Sequence, residues 1–335
     1  MAEKKKSMVK RLLVAAVLLL FVAGALWTYQ IYKHPLAAHV EKTRRALKAA
    51  GLERTEAQLA GDRLVYWQGG EGLTLVLLHG AGDQAGTWSE IVPALLEEYR
   101  LLIPDLPGHG ESEPAQGPLP MDEIFAGLEA LLAAQNGDSP FILVGNSMGA
   151  WLATLQAHRH PESVSRAVLV NGGALSGDPQ NPSLTPVDRE AARQLMDLLR
   201  DPASPKIPGF VLDDIVRRSA SGPIGRMLQD MDSLVSNLMD GRLGEISTPM
   251  DMVWGESDRL MSLSYAERML AELPRARLTG VPACGHIPQS ECPESLTEAL
   301  LSVLESEPPV AETIVEPPDE AGQTAEEETT DDDSR

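Results

Sequence analysis

Phe141-Ile142-Leu143-Val144-Gly145-Asn146-Ser147-Met148-Gly149-Ala150-Trp151-Leu152 is the stretch on which the fold turns. Phe141–Val144 is an unbroken apolar run of strand length, and the pattern from Ala150 to Arg159 is helical. Between them, at residues 145–149, stands Gly-x-Ser-x-Gly in the strand-then-helix context that gives this motif its meaning. So tight a turn strains the backbone of Ser147, while Gly145 and Gly149 keep side chains out of the bend. The first amides of the following helix face any negative charge that develops beside Ser147. Ser147 is therefore a candidate nucleophile, and the Met148 amide a candidate oxyanion donor. An idle serine in a glycine-flanked turn would need neither the strand before it nor the helix after it.

Working outward, Leu73–Leu78, Leu101–Ile103, Ala167–Val170 and Met250–Trp254 are similar apolar runs, and Ala276–Val281 is a weaker one. Runs with so little polar alternation fit strands covered on both faces, as in a parallel sheet. Helical patterns lie between and after them, at Trp88–Tyr99, Met121–Gln135, Tyr265–Leu273 and Pro293–Leu304. The alternation predicts an α/β fold with a mostly parallel, doubly wound sheet. A further strand is expected at Arg63–Gln68, before the turn Gly69-Gly70-Glu71-Gly72. Residues from about 177 to 247 break the rhythm with helical patterns and no clear strand, which predicts a helical cap inserted between two strands.

A serine hydroxyl is a weak nucleophile and needs a base. Two segments downstream of Ser147 supply the partners in the order acid, then histidine. Trp254-Gly255-Glu256-Ser257-Asp258-Arg259 follows one strand, and Cys284-Gly285-His286 follows the last. Both lie where strands end, the edge at which open α/β sheets carry their sites. Asp258 is the candidate acid and His286 the candidate base. Glu256 is two residues too early, and His79, His109, His158 and His160 all precede Asp258. A second oxyanion amide is expected from the loop His79-Gly80-Ala81-Gly82, at Ala81. Gly80, Gly82 and Gly86 are spaced one residue too long for a dinucleotide loop. No cofactor and no metal are expected. Cys284 and Cys292 flank His286. In an exported chain they could pair, which would contribute roughly 2–3 kcal/mol in the chain-entropy model, or they could stay small buried residues.

The chain has 335 residues and a formal net charge of −21. About half of that imbalance sits from Glu307 to the end, where eleven acidic residues face one arginine; Pro-Pro pairs there predict a disordered tail. Beyond the first eleven residues the only basic cluster is Lys42, Arg44, Arg45 and Lys48, too small a footprint for a nucleic-acid partner. Lys4, Lys5, Lys6, Lys10 and Arg11 precede an apolar run that extends from Leu12 to Tyr32. As a helix this run spans roughly 31 Å, enough to cross a bilayer. Trp27, Tyr29 and Tyr32 would sit at the far interface, and the basic cluster would hold the N-terminus in the cytoplasm. The expectation is a single-pass signal-anchor with the body outside the cytoplasm, periplasmic in a bacterium. The alternative is cleavage near Ala25, at Ala23-Gly24-Ala25. Oligomeric state is not legible.

His79-Gly80-Ala81-Gly82, Asp105-Leu106-Pro107-Gly108-His109-Gly110-Glu111-Ser112, the turn at 145–149, the Asp258 segment and Gly285-His286 together resemble the α/β-hydrolase superfamily. The likeness covers about Leu64 to Leu304. With the N-terminal anchor it is similar to membrane-bound monoacylglycerol lipases and to bacterial carboxylesterases and family V lipases. Asn-Ser-Met-Gly also resembles the hydrolases that cleave carbon–carbon bonds in aromatic degradation. Ala150 stands where those relatives often carry glycine. The resemblance implies a serine carboxylic-ester hydrolase acting on a small ester or lipid, with carbon–carbon hydrolysis or non-catalytic binding as alternatives. The expected layout is a basic end at 1–11, an anchor at 12–32, a helical juxtamembrane segment at 33–60, a hydrolase domain at 61–306 and an acidic tail at 307–335.

Overall fold

The structure, a computed structural model, describes residues 2–135, 139–177 and 182–310. Most of the expected acidic tail, from residue 311 on, lies outside the described residues.

Eight strands form one sheet: β1 (Glu53–Leu59), β2 (Asp62–Gly69), β3 (Thr74–Leu78), β4 (Arg100–Asp105), β5 (Phe141–Asn146), β6 (Val164–Val170), β7 (Met250–Gly255) and β8 (Ala276–Val281). Their order is β1-β2-β4-β3-β5-β6-β7-β8. β2 runs antiparallel to β1 and β4, and every other pair is parallel. Successive side chains face opposite layers. Val76, Leu143, Leu169 and Met252 pack under the helices Met121–Gln135 and Met148–Arg159. Leu75, Leu77, Val144, Val168 and Val253 pack with Trp88, Ile91 and Leu296 on the other face. Fully burying an aliphatic side chain of this size is worth about 2 kcal/mol, so two covered faces explain why the strands read as continuous apolar runs. This is the α/β-hydrolase fold.

Two local expectations are corrected. The segment 33–60 is not helical throughout. Gly51, at φ 99°, ends the helix, and residues 53–59 form edge strand β1. Only Thr55, Ala57 and Leu59 turn inward there, among charged neighbours, so the period-two signal is faint. The sheet therefore begins before residue 61. The expected helix Trp88–Tyr99 is broken into a 3₁₀ turn, Ala85–Trp88, and one short turn, Val92–Leu95. Pro93, which has no N–H to donate, is tolerated only at the start of that second turn.

Between β6 and β7 lies the helical cap, with helices Arg189–Leu199, Gly209–Ser219, Pro223–Met227 and Met231–Ser236. Two N-terminal helices precede the sheet, α1 (Ala2–Lys33) and α2 (Pro35–Ala49). Within α1, Leu12–Lys33 is long and apolar enough to cross a membrane and packs against nothing in the body for most of its length. Its end meets the cap: Tyr32 stacks on Phe210 at 5.0 Å, and Arg217 donates to the Lys33 carbonyl at 2.9 Å. The Leu36 amide donates to the buried Asp214 carboxylate at 3.1 Å. α2 then lies on the body, with Leu47 fully buried.

Candidate active site

β5 ends at Asn146, and the chain turns into the helix Met148–Arg159 through Ser147 alone. Ser147 sits at φ 54° and ψ −116°, left-handed backbone that a non-glycine residue adopts only under constraint. The constraint comes from close packing. A Cβ on Gly149 would lie 2.1 Å from the Leu78 carbonyl oxygen, and one on Gly172 would lie 2.4 Å from the Ser147 Cα. No side chain fits at either place. Gly172 was not singled out from the sequence. It is read only once β6 is known to end beside β5.

The three candidates spread over 139 residues of chain converge. His286 Nε2 lies 2.9 Å from Ser147 Oγ, and His286 Nδ1 lies 2.7 Å from Asp258 Oδ2. Asp258 and His286 are buried, while Ser147 keeps partial exposure. Asp258 is held on both oxygens. Oδ1 accepts the amides of Leu260 and Met261, each at 2.9 Å, and Oδ2 also accepts Asn171 Nδ2 at 2.9 Å. Asn171 in turn accepts the Gly255 amide at 2.9 Å, which ties β6 to the turn carrying the acid. Glu256, the rival acid, is exposed and packs near Gly280 on β8, away from His286.

The His286 loop has four further holds. Asn146 Nδ2 donates to the His286 carbonyl at 2.9 Å, and Gln289 Nε2 donates to Asn146 Oδ1 at 3.0 Å. The His286 amide donates to the Leu199 carbonyl at 2.8 Å, at the C-terminal end of the first cap helix. Glu291 accepts the Gly285 amide at 2.7 Å and the Asp201 amide at 3.0 Å. Cys284 and Cys292 are joined as a disulfide across this loop, with Cα atoms 6.0 Å apart. Asn146, Asn171, Gln289 and Glu291 were missed by sequence reasoning. Each partner lies far along the chain or depends on loop geometry, and no local pattern marks it.

Ala81 sits between two close contacts. A Cβ on Gly80 would lie 3.2 Å from Ser147 Cβ, and one on Gly82 would lie 3.1 Å from Ile224 Cδ1 in the cap. Ala81 therefore lies between Ser147 and the cap helix Pro223–Met227. Met148 is the first residue of the helix after Ser147 and is buried. His79 and His109 are wholly buried behind this loop. His79 Nε2 accepts the Leu106 amide at 3.0 Å, and the His109 ring bonds the Pro107 carbonyl at 2.9 Å. Burial lowers His79 to about 4 and His109 to about 3, so both are neutral structural groups.

A single elbow carrying serine, with histidine and a carboxylate in line behind it on an eight-stranded sheet, defines a class of hydrolases. The profile of the alpha/beta hydrolase family matches residues 75–299, and the chain belongs to that family. It is 30% identical over 267 residues to 2-hydroxy-6-oxononadienedioate/2-hydroxy-6-oxononatrienedioate hydrolase 2 of Pseudomonas putida, covering 72% of this chain and 92% of that protein. It is 27% identical over 275 residues to 2-hydroxy-6-oxo-6-phenylhexa-2,4-dienoate hydrolase of Burkholderia cepacia, covering 74% and 93%. Among solved structures it resembles a membrane phospholipase A described as a bacterial virulence factor, at TM-score 0.69 and 28% identity, covering 88% of this chain and 98% of that one. A serine hydrolase involved in carbazole degradation shares the fold at TM-score 0.61 and 22% identity, covering 76% and 99%.

Proposed function

We propose that this hydrolase cleaves carboxylic esters through an acyl-enzyme. The observation that carries the reading is the unbroken hydrogen-bond line from Ser147 Oγ through His286 to Asp258. In the first step His286 Nε2 takes the Ser147 proton as Oγ attacks the ester carbonyl. Asp258 holds the Nδ1–H tautomer and stabilises the imidazolium. The amides of Met148 and Ala81 receive the oxyanion. His286 then protonates the leaving alcohol, and a water deprotonated by the same ring releases the acid.

Two observations support esters over carbon–carbon bonds. The likeness to the membrane phospholipase A covers a larger share of the chain than β1 to the C-terminus makes up, so it reaches into α2. The dienoate and dienedioate compounds in the relatives' names carry carboxylates, which call for a free cation at the site. Arg200, beside Gly285, and Arg226, two residues from Ile224, are otherwise engaged. Arg226 donates to the carbonyls of Gly108, Pro114, Gln116 and Gly117, and Arg200 faces Glu291 and the Pro205 carbonyl. The sequence relatives favour the second reading, carbon–carbon hydrolysis. We read α1 as an anchor that sets the body against a bilayer on the non-cytoplasmic side, with acyl lipids or small esters as substrates. In this reading the chain divides into a basic end, the anchor, α2 as a juxtamembrane segment, the hydrolase body with its cap, and an acidic tail.

A fluorophosphonate probe tests the nucleophile. The wild type is expected to label and Ser147→Ala to stay blank. A panel of p-nitrophenyl esters, monoacylglycerols and one dienoate then separates the two bond classes, with turnover of the dienoate alone rejecting the ester reading.

A further inference from the structure

The loop that carries Ala81 runs from β3 to the 3₁₀ turn Ala85–Trp88. Its back end is fixed by Asp105 and by two residues of α2, which lies before the family match. Asp105, at the end of β4, is fully buried, and its Oδ1 accepts the Ala85 amide at 2.8 Å. Its Oδ2 accepts the Glu111 amide at 2.7 Å and Arg44 Nη2 at 2.9 Å. Arg44 lies on α2, and it is the cation that faces this buried carboxylate. One residue earlier on α2, Thr43 is also buried and accepts Gln84 Nε2 at 3.3 Å. Gln84 in turn accepts the Gly86 amide at 2.8 Å. The juxtamembrane helix thus holds the loop twice, through a charged pair and through a neutral hydrogen bond.

The chemistry makes this position consequential. An oxyanion donor acts only within about 2.7–3.1 Å of where the charge develops, so a shift of the loop by a fraction of an ångström weakens it. A buried carboxylate that loses its cation is left uncompensated and drives local rearrangement. The residue it would release is Ala85, four positions from Ala81 on a short loop.

We propose that α2 is a working part of the hydrolase site and that Arg44 is a positioning residue, fixing the Ala81 amide through Asp105 and Ala85. This rests on the serine-hydrolase reading above. The helix that follows the anchor then does two things at once: its first turn grips the cap through Asp214, and its last turns set the loop beneath the cap.

The test uses the full-length chain in detergent, with p-nitrophenyl butyrate as substrate. Arg44→Ala is expected to lower kcat by about 10- to 100-fold, short of the full loss of an oxyanion donor, with KM near the wild-type value. Arg44→Lys restores the cation and is expected to recover most of the loss. Arg54→Ala removes a 2.7 Å bond to Glu111 in the neighbouring loop but leaves Asp105 paired, and it should keep wild-type kcat. Should Arg44→Ala fail to fold, Thr43→Val decides, with kcat lowered and KM unchanged. Wild-type kcat in folded Arg44→Ala, or in Thr43→Val where that variant decides, overturns the proposal. So does an equal kcat loss in Arg54→Ala. Failure of the wild type to label with fluorophosphonate overturns the serine-hydrolase reading itself, and the proposal with it.

Discussion

Replacing Asp258 with asparagine should nearly abolish turnover, and the surroundings of the carboxylate say why. Oδ1 faces two amides, from Leu260 and Met261, which only an acceptor can satisfy. In Asp258→Asn the side-chain carbonyl must therefore keep the Oδ1 place, and the NH₂ takes the place of Oδ2. That NH₂ faces His286 Nδ1 and the Asn171 Nδ2 donor. Nδ1 is then forced to accept, the proton moves to Nε2, and the ring can no longer take the Ser147 proton. Loss of the correct tautomer costs about 10⁴ in kcat in a triad of this kind, or about 5 kcal/mol of barrier. The donor–donor contact with Asn171 costs a further ~1–3 kcal/mol, in stability rather than in rate. The two effects separate in the double variant Asp258→Asn/Asn171→Asp, where the new carboxylate accepts from the NH₂. Its melting temperature should recover while kcat stays low. The assay is p-nitrophenyl butyrate hydrolysis alongside thermal melts. If Asp258→Asn kept kcat within tenfold of the wild type, Asp258 would not be the group that orients His286.

Three further outcomes follow from other parts of the molecule. Arg226→Ala leaves four backbone carbonyls without their buried donor, so it should destabilise by about 3 kcal/mol or more and lower Tm by roughly 6–12 °C; an unchanged melt in scanning fluorimetry would contradict this. Reduction of the Cys284–Cys292 bond should lower Tm and slow Ser147 labelling, because the bond spans the His286 loop; alkylation of both thiols without reductant would show that the bond does not form. His79 and His109 have folded values of about 4 and about 3, below the ordinary 6.5. The unfolded chain therefore takes up their protons first, and their contribution is lost progressively as pH falls from about 6.5 toward 3–4. Urea melts at pH 7.5, 5.5 and 4.5 should show the wild type losing stability relative to His109→Gln, and parallel curves would refute the assignment.

The elbow was legible because everything it needs is local: a strand, two glycines and a helix within about twenty residues. Asp258 and His286 were legible because each follows an apolar strand and their order along the chain is diagnostic. β1 was not, because an edge strand with one half-buried face leaves only Thr55, Ala57 and Leu59 as signal among charges. The helix expected at 88–99 is interrupted before Pro93, although Trp88, Ile91, Val92 and Leu95 keep helical spacing and are all buried, so the apolar pattern alone hid the break. Asn171, Gln289, Glu291 and the Arg44–Asp105 pair were out of reach for another reason. A polar residue in a sequence gives no sign of which distant backbone group it will satisfy once the chain is folded.

The lacing of the cap's first helix to the catalytic loops bears on how substrate preference can be remodelled. Leu198 and Leu199 offer carbonyls to Arg259 and His286, and Asp201 is held by Glu291 and Ser257. That end of the cap is bonded to the loops that carry Asp258 and His286, so an exchange of cap sequence that crosses it would disturb both loops. From Pro205 to Ser236 the cap approaches the Ala81 loop through Ile224 above Gly82, and it is held to the rest of the molecule through Asp214 and Arg226. A library or a chimaera spliced within this span that keeps Asp214 and Arg226 alters the surface facing Ser147 without touching a bond of His286 or Asp258, which makes it the natural module for redesign.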